Sequence, residues 1–342
     1  MSVTIKDVAK KSKVSVATVS RVVNNIQHEK VSEATRAKVL VTVKELGYRP
    51  NLAARSLSKQ ITSHIGLFLP FSKGLFADNY YSLLLQGIIS EINNHRYSLT
   101  LYDANLLAKD FTVPLREKQV DGLLIVGPPE NQLKKLLPYA KQLIMLSATY
   151  NMMGFSTIDC DNISGAEMAV EYLLGLGHRA IGIITGPDDI VNSRDRVKGF
   201  CLAMRKRGIS VDSELIANGE FIYSKGVQAA RKLLGAKPRP TAIFCANDTM
   251  AFACIQVAAE MGISVPGDLS VAGFDDVEMA SEARPALTTI RQPISEIGKQ
   301  GVRMLFAQMD IKVFKPQNIV LPVELIVRES CNKCEAAKVI SA

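Results

Sequence analysis

The chain has 342 residues, 47% of them hydrophobic, with a formal net charge of +8. That is too long for one small domain and apolar enough to fill sizeable cores. No run approaches the ~20 apolar residues of a membrane span. The charge is unevenly placed. The first sixty residues hold twelve Lys/Arg against four acids (Asp7, Glu29, Glu33, Glu45), a balance of +8, while the remaining 29 bases and 29 acids cancel. A short basic head on a neutral body implies that the head binds a polyanion.

In chain order, Thr4-Ile5-Lys6-Asp7 has the form of a capping box, a hydroxyl followed three residues later by a carboxylate. It opens a short helix with Ile5, Val8 and Ala9 on one face. Ser12-Lys13-Val14 interrupts it, and Ser15 caps a second helix from Val16 to Asn24 that buries Val19, Val22 and Val23. Ser32 starts a third carrying Val39, Leu40, Val43 and Leu46, with Gly47 placed to end it. Two short helices joined by a three-residue turn, closed by a third, make a helix-turn-helix unit. Lys10, Lys11, Lys13 and Arg21 gather near its second helix, which argues against a bundle that merely packs on the body. Pro50 then stops the structure, and Leu52–Leu57 is helix-forming sequence too short to hold a helix alone in water.

From Ser63 onward short apolar runs (65–69, 98–102, 122–126, 143–146, 181–184, 242–245, 269–272) alternate with amphipathic stretches such as 81–93, 165–176 and 249–261. Buried strands alternating with helices imply a doubly wound parallel sheet. So many strands imply two similar halves with a cleft between them. The expected fold class is therefore α/β, an all-α head joined to a two-lobed body of doubly wound parallel sheets. Ligands bind such sheets at the carboxyl ends of the strands. Asn247 and Asp275 each follow an apolar run and fall at such an end.

Three ordered blocks, Val3–Ala9, Val14–Asn24 and Leu46–Asn51, closely resemble the lactose/galactose repressor family, and the resemblance runs on to about Ser330. It divides the chain into a DNA-binding domain (1–48), a hinge helix (49–62), an effector-binding and dimerisation body (63–330) and a tail (331–342). The body's first lobe is then about 63–160 plus 293–320, and its second about 161–291 plus 322–330. The resemblance implies a homodimer on a palindromic double-stranded operator. The DNA-facing set is Thr4, Ser15, Val16, Ala17, Thr18, Ser20, Arg21 and Asn24 in the head, with Asn51, Ala54 and Leu57 in the hinge. Arg21 suits the O6/N7 edge of guanine, and Val16 and Ala17 suit a thymine methyl. Leu57 matches a leucine that wedges into the minor groove. In the body the resemblance points Arg196, Phe221 and Tyr80 into the cleft beside Asn247 and Asp275. That set fits a sugar, sugar derivative, nucleobase or nucleoside. Arg196 paired with Asp195 on the surface, Phe221 and Tyr80 in the core, and Asp275 as a helix cap are the alternatives. The segment Lys73–Tyr81 departs from the family pattern, which leaves the first lobe's contacts open.

No cofactor or metal is expected. Cys331-Asn-Lys-Cys334 has the spacing of half a zinc knuckle without a second pair, so a frayed end with two free thiols is the expectation. Gly175–Ala180 matches GxGxxA but precedes a strand instead of following one, which removes the dinucleotide reading and with it the best case for an enzyme. A transport solute-binding protein would share the two lobes, but lacks a basic head and carries a signal peptide. The charged N-terminus has no apolar signal core, the mark of a bacterial cytoplasmic chain that meets the nucleoid on its operator. A protein co-effector is the remaining rival. A tail without heptads implies dimers, not tetramers.

Overall fold

The computed structural model describes residues 3–23, 31–48, 61–69, 79–103, 110–127, 130–148 and 154–334. The chain divides into two compact units, Met1–Ser63 and His64–Ala342.

The first unit holds α1 (Ile5–Ser12), α2 (Val16–Val23) and α3 (Glu33–Leu46). The Asp7 carboxylate accepts from the Thr4 backbone N–H (2.9 Å) and hydroxyl (2.7 Å). Lys13 ends α1 in the left-handed conformation, and the Ser12 hydroxyl donates to the Val8 carbonyl. Ser15 Oγ accepts from Thr18 N–H, and Ser32 Oγ from Thr35 N–H, so hydroxyls cap the next two helices. Gly47 ends α3 at φ 61°, where a side chain would be strained. Val8, Ala9, Val19, Val22 and Val39 form the core. Leu40, expected in that core, is 48% exposed instead, and Thr42 takes the inward place by donating its hydroxyl to the Lys38 carbonyl. A hydroxyl that bonds back along its own helix is buried cheaply.

The second unit contains two six-stranded sheets. The first has the order β11-β5-β4-β3-β1-β2 and the second β12-β10-β9-β8-β6-β7. The strands of the first are β1 (His64–Leu69), β2 (Ser98–Asp103), β3 (Gly122–Val126), β4 (Leu143–Leu146), β5 (Ser156–Cys160) and β11 (Asn318–Leu321). Those of the second are β6 (Ile181–Thr185), β7 (Ile216–Asn218), β8 (Ala242–Cys245), β9 (Ser270–Asp275), β10 (Thr288–Arg291) and β12 (Glu324–Ile326). All pairings are parallel except β10–β12, so the expected doubly wound parallel sheets carry one antiparallel edge strand. Here β12 is an edge strand reached from β11 by Pro322 and Val323 alone. It enters the second sheet at the edge beside β10 and runs opposite to it.

The chain changes sheet after β5, after β10 and after β11, and these crossings touch. Asp161 N–H donates to the Leu321 carbonyl, and the Cys160 thiol faces Gln292 Oε1 at 3.3 Å. The main helices are α4 (Asn79–Asn94), α5 (Asn162–Gly175), α6 (Val191–Lys206), α7 (Tyr223–Leu234), α8 (Asp248–Glu260) and α9 (Ile294–Asp310). Helix α9 returns to the first sheet and lies against α4. The tail does not fray at residue 331. Cys331 Sγ faces the Val271 carbonyl at 3.2 Å, Asn332 N–H donates to Ser270 Oγ, and Cys334 N–H donates to the Leu176 carbonyl. Buried His178 touches Ser270 Oγ and the Asn332 carbonyl through Nε2, which pins the segment after β12 onto the second sheet. The sequence reading missed these long-range partners because none lies near residue 331 in the chain.

Candidate functional site

In the first unit Thr4, Ser15, Val16, Ala17 and Arg21 are exposed, and Thr18 and Ser20 half-buried. Val16 keeps 41% of its surface at the start of α2, although it is apolar. An exposed valine beside Ala17 and Arg21 on one short helix gives a face with apolar and guanidinium contacts together. Asn24, Asn51, Ala54 and Leu57 lie outside the described residues.

In the second unit a cavity of about 240 Å³ opens at the carboxyl ends of β3, β4, β6, β8 and β9. Tyr80, Arg196, Phe221, Asn247 and Asp275 all line it. Helix α6 carries Arg196 one turn beyond Asn192, so both side chains fall on the face turned to the cavity. Arg196 is 4% exposed and is not paired with Asp195. Its Nε donates to Asn162 Oδ1 at 2.9 Å and its Nη1 to the Ala246 carbonyl at 2.5 Å. Nη1 also lies 3.5 Å from Asp275 Oδ1, and the guanidinium covers the Phe274 ring at 3.7 Å.

Asp275 ends β9 at φ 129°, a conformation that side chains rarely adopt, and Asp276 follows at φ 58°. Gln292 holds the turn: its Nε2 donates to Asp275 Oδ1 at 2.6 Å and its backbone N–H to the Asp275 carbonyl. The strained turn is held in place beside a buried carboxylate–guanidinium pair. Beneath it Asp248 is fully buried, accepting from the Thr289 hydroxyl (2.5 Å) and Val277 N–H (3.0 Å). Burial, then the nearby Asp275 charge, pushes its carboxyl well above the usual carboxylate range.

Asn247 is committed to the scaffold more than expected. Its Oδ1 accepts from Met250 N–H to cap α8, and its Nδ2 donates to the Phe221 carbonyl at 3.3 Å. That bond helps hold Phe221 at φ 59°, its ring against Gly186, where an added Cβ would lie 2.2 Å from ring carbon. Phe221 is half-buried on the wall. Tyr80 hydrogen-bonds Ser147 and meets Tyr81 edge to face. Burial raises the Tyr80 phenol well above its usual range, so it stays neutral.

Sequence reasoning missed Ser147 and Asn192. Asn192 is 7% exposed, its Nδ2 faces Asp159 Oδ1 at 3.4 Å, and its Oδ1 has no hydrogen-bond partner among the described residues. An acceptor so placed can take a donor from water or a ligand. Its spacing of four before Arg196 was a usable signal. Among the described residues no group of three or more His, Cys, Asp or Glu could hold a metal ion.

Residues 4–51 match the model for bacterial regulatory proteins of the lacI family, and residues 170–331 the periplasmic binding protein-like domain. The HTH-type transcriptional repressor CytR of Escherichia coli (strain K12) is 35% identical over 335 residues, covering 96% of each chain. The chain belongs to the lacI family. Among solved structures, the lac repressor dimer bound to operator and the anti-inducer ONPF is similar with a TM-score of 0.85 at 29% identity, over 97% of this chain and 100% of that one. The complex of the transcriptional regulator CelR with cellobiose is similar with a TM-score of 0.73 at 30% identity, over 96% and 99%. This lacI-family chain is thus a DNA-binding transcriptional regulator with an effector domain. Among the described residues no helix is long and apolar enough to cross a membrane.

Proposed function

We propose that this regulator is a cytoplasmic, homodimeric repressor without enzymatic activity, gated by a small molecule held among Tyr80, Arg196, Phe221, Asn247 and Asp275. The observation that carries this reading is the buried Arg196–Asp275 pair on a cavity at the strand ends. The similar CelR structure, which holds cellobiose, supports a small-molecule effector. In the head, Val16, Ala17 and Arg21 read base edges, with Thr4, Ser15, Thr18, Ser20 and Asn24 on phosphates or neighbouring bases. Asn51, Ala54 and Leu57 engage the minor groove when the hinge folds on DNA; the similar lac repressor structure, bound to operator, supports operator binding as such.

The test is fluorescence anisotropy of the full chain on an operator selected from random duplexes, with and without sugars, nucleosides and purines. A ligand that shifts operator affinity in the native chain, with the shift lost in Arg196→Ala, supports the gate. A shift that survives Arg196→Ala refutes it. Leu57→Ala is expected to weaken operator binding while effector binding stays unchanged, and an unaltered operator affinity removes the wedge.

A further inference from the structure

We propose that the outer face of α3 docks on the same face of a second copy, joining the neighbouring heads of two regulator dimers on adjacent operators. The inference rests on the reading that the chain binds a palindromic operator as a dimer. Helix α3 turns Val39 and Thr42 into the head. Its opposite face is apolar at the centre. Leu40 keeps 48% and Val41 56% of its surface, and Ala34 and Ala37 beside them are exposed. Ala34, Ala37, Val41 and Lys44 follow the helical repeat as one stripe, with Glu33 and Leu40 along one flank. The head's own core leaves this stripe uncovered, and the DNA-facing residues proposed above lie on other segments.

The face is complementary to itself. Two copies of α3 related by a two-fold axis near Val39 run antiparallel. That sets Ala37 against Val41 of the second copy, Leu40 against Leu40, and Glu33 against Lys44 at each end. The small side chains of Ala34 and Ala37 let the helices approach, and the opposite charges fix the antiparallel register. Glu45 is engaged by Lys11 at 3.0 Å, whereas Glu33 and Lys44 have no ion-pair partner among the described residues. Facing heads of neighbouring dimers meet the required symmetry, because each operator is palindromic. Four short side chains fall far short of the ~1,200 Å² that a standing interface buries, so free dimers do not join through them. Tethered to one duplex, two heads meet at an effective concentration of about millimolar, where so small a contact is made.

The test is quantitative footprinting of the full chain on duplexes with one selected operator or two, their spacing stepped by single base pairs through one helical turn. The expected result is a second site that fills about 10-fold more readily at one phase of the spacing. Leu40→Gln with Val41→Gln, neutral changes on an exposed face, should abolish that gain and leave helical circular dichroism and single-operator affinity as they were. Glu33→Lys should abolish it too, and adding Lys44→Glu to that chain should restore it. Both are read as the ratio of paired to single sites, so that the head's altered charge cancels. Independent filling at every spacing overturns the inference, as does a gain that survives the double Gln change or a charge swap that restores nothing. Weaker binding of the double Gln chain to a single operator would place the contact inside one dimer, which also overturns it. The dimer reading is checked separately by the stoichiometry on a single operator, where one chain in place of two removes it.

Discussion

Arg196 and Asp275 act as one unit, each the other's condition for being buried. Arg196→Ala would strip the guanidinium from the Asp275 carboxylate, which is 5% exposed and also bonded to Gln292. Stranding a buried charge costs about 3–5 kcal/mol. The thermal midpoint of the body should fall by several degrees, and an unchanged midpoint would mean that water reaches the pair. Asp248 yields a pH prediction. Its folded pKa is raised, so the stability it contributes is fully present below the ordinary carboxylate pKa and is lost as pH rises through the folded value. The Asp248 contribution to the thermal midpoint should therefore decline as pH rises from about 4 towards neutrality, against the opposite trend of Glu91, Asp110 and Glu260, whose carboxyls are held below their usual range. Asp248→Asn, whose amide can donate to Thr289 and accept from Val277, should flatten that decline; an equal slope in both proteins removes the assignment. At this scale the sequence was legible where chemistry sits at a strand's end, as for Asp275. Ser147, one residue past β4, and Asn192, one turn before Arg196, carried similar signals, but which residues the two sheets bring opposite them was not legible.

The helices of the head were readable because their determinants are local. Thr4 and Asp7, Ser15, Ser32 and Gly47 each act within four residues of their own position. Strands β5 and β10 were not readable. Ser156–Cys160 and Thr288–Arg291 are polar segments that become buried only because neighbours such as Asn318 and Ser330 satisfy their hydrogen bonds from afar. Helix packing gives a further test at this scale. An added Cβ at Gly87 on α4 would lie 2.0 Å from the Ser295 carbonyl of α9, whereas at Gly175 on α5 nothing lies within 4 Å. Gly87→Ala should destabilise the body by about 1–3 kcal/mol through overpacking. Gly175→Ala should be neutral or add up to about 1 kcal/mol of helix stability. Denaturant midpoints of the two variants decide it, and equal shifts would mean that α4 and α9 can part without cost.

For the whole molecule, the chain's excess charge and its cavity lie in different units, so any influence of one ligand on the other is treated as a difference between states. A cleft ligand shifts operator binding only as far as it prefers one state of the body. The same linkage runs backwards with the same factor. If the effector changes operator affinity by a given factor, operator DNA must change effector affinity by that factor, in the same direction. A coupling of 1–3 kcal/mol, roughly 5- to 150-fold, is the ordinary range. The measurement pairs anisotropy titrations of operator, with and without effector, with calorimetric titrations of effector into free and operator-bound protein at one salt concentration. Salt must be held fixed because the head's excess of eight positive charges makes operator binding steeply salt-dependent while the body's charges cancel. Equal factors show that the cycle is closed, as linkage requires of any mechanism. Unequal factors would mean that a linked step, such as dimerisation or a second effector site, lies outside the measured cycle. A Leu57→Ala chain should then separate those cases, since weakening the hinge lowers operator affinity with and without effector while the effector's affinity for free protein stays as it was.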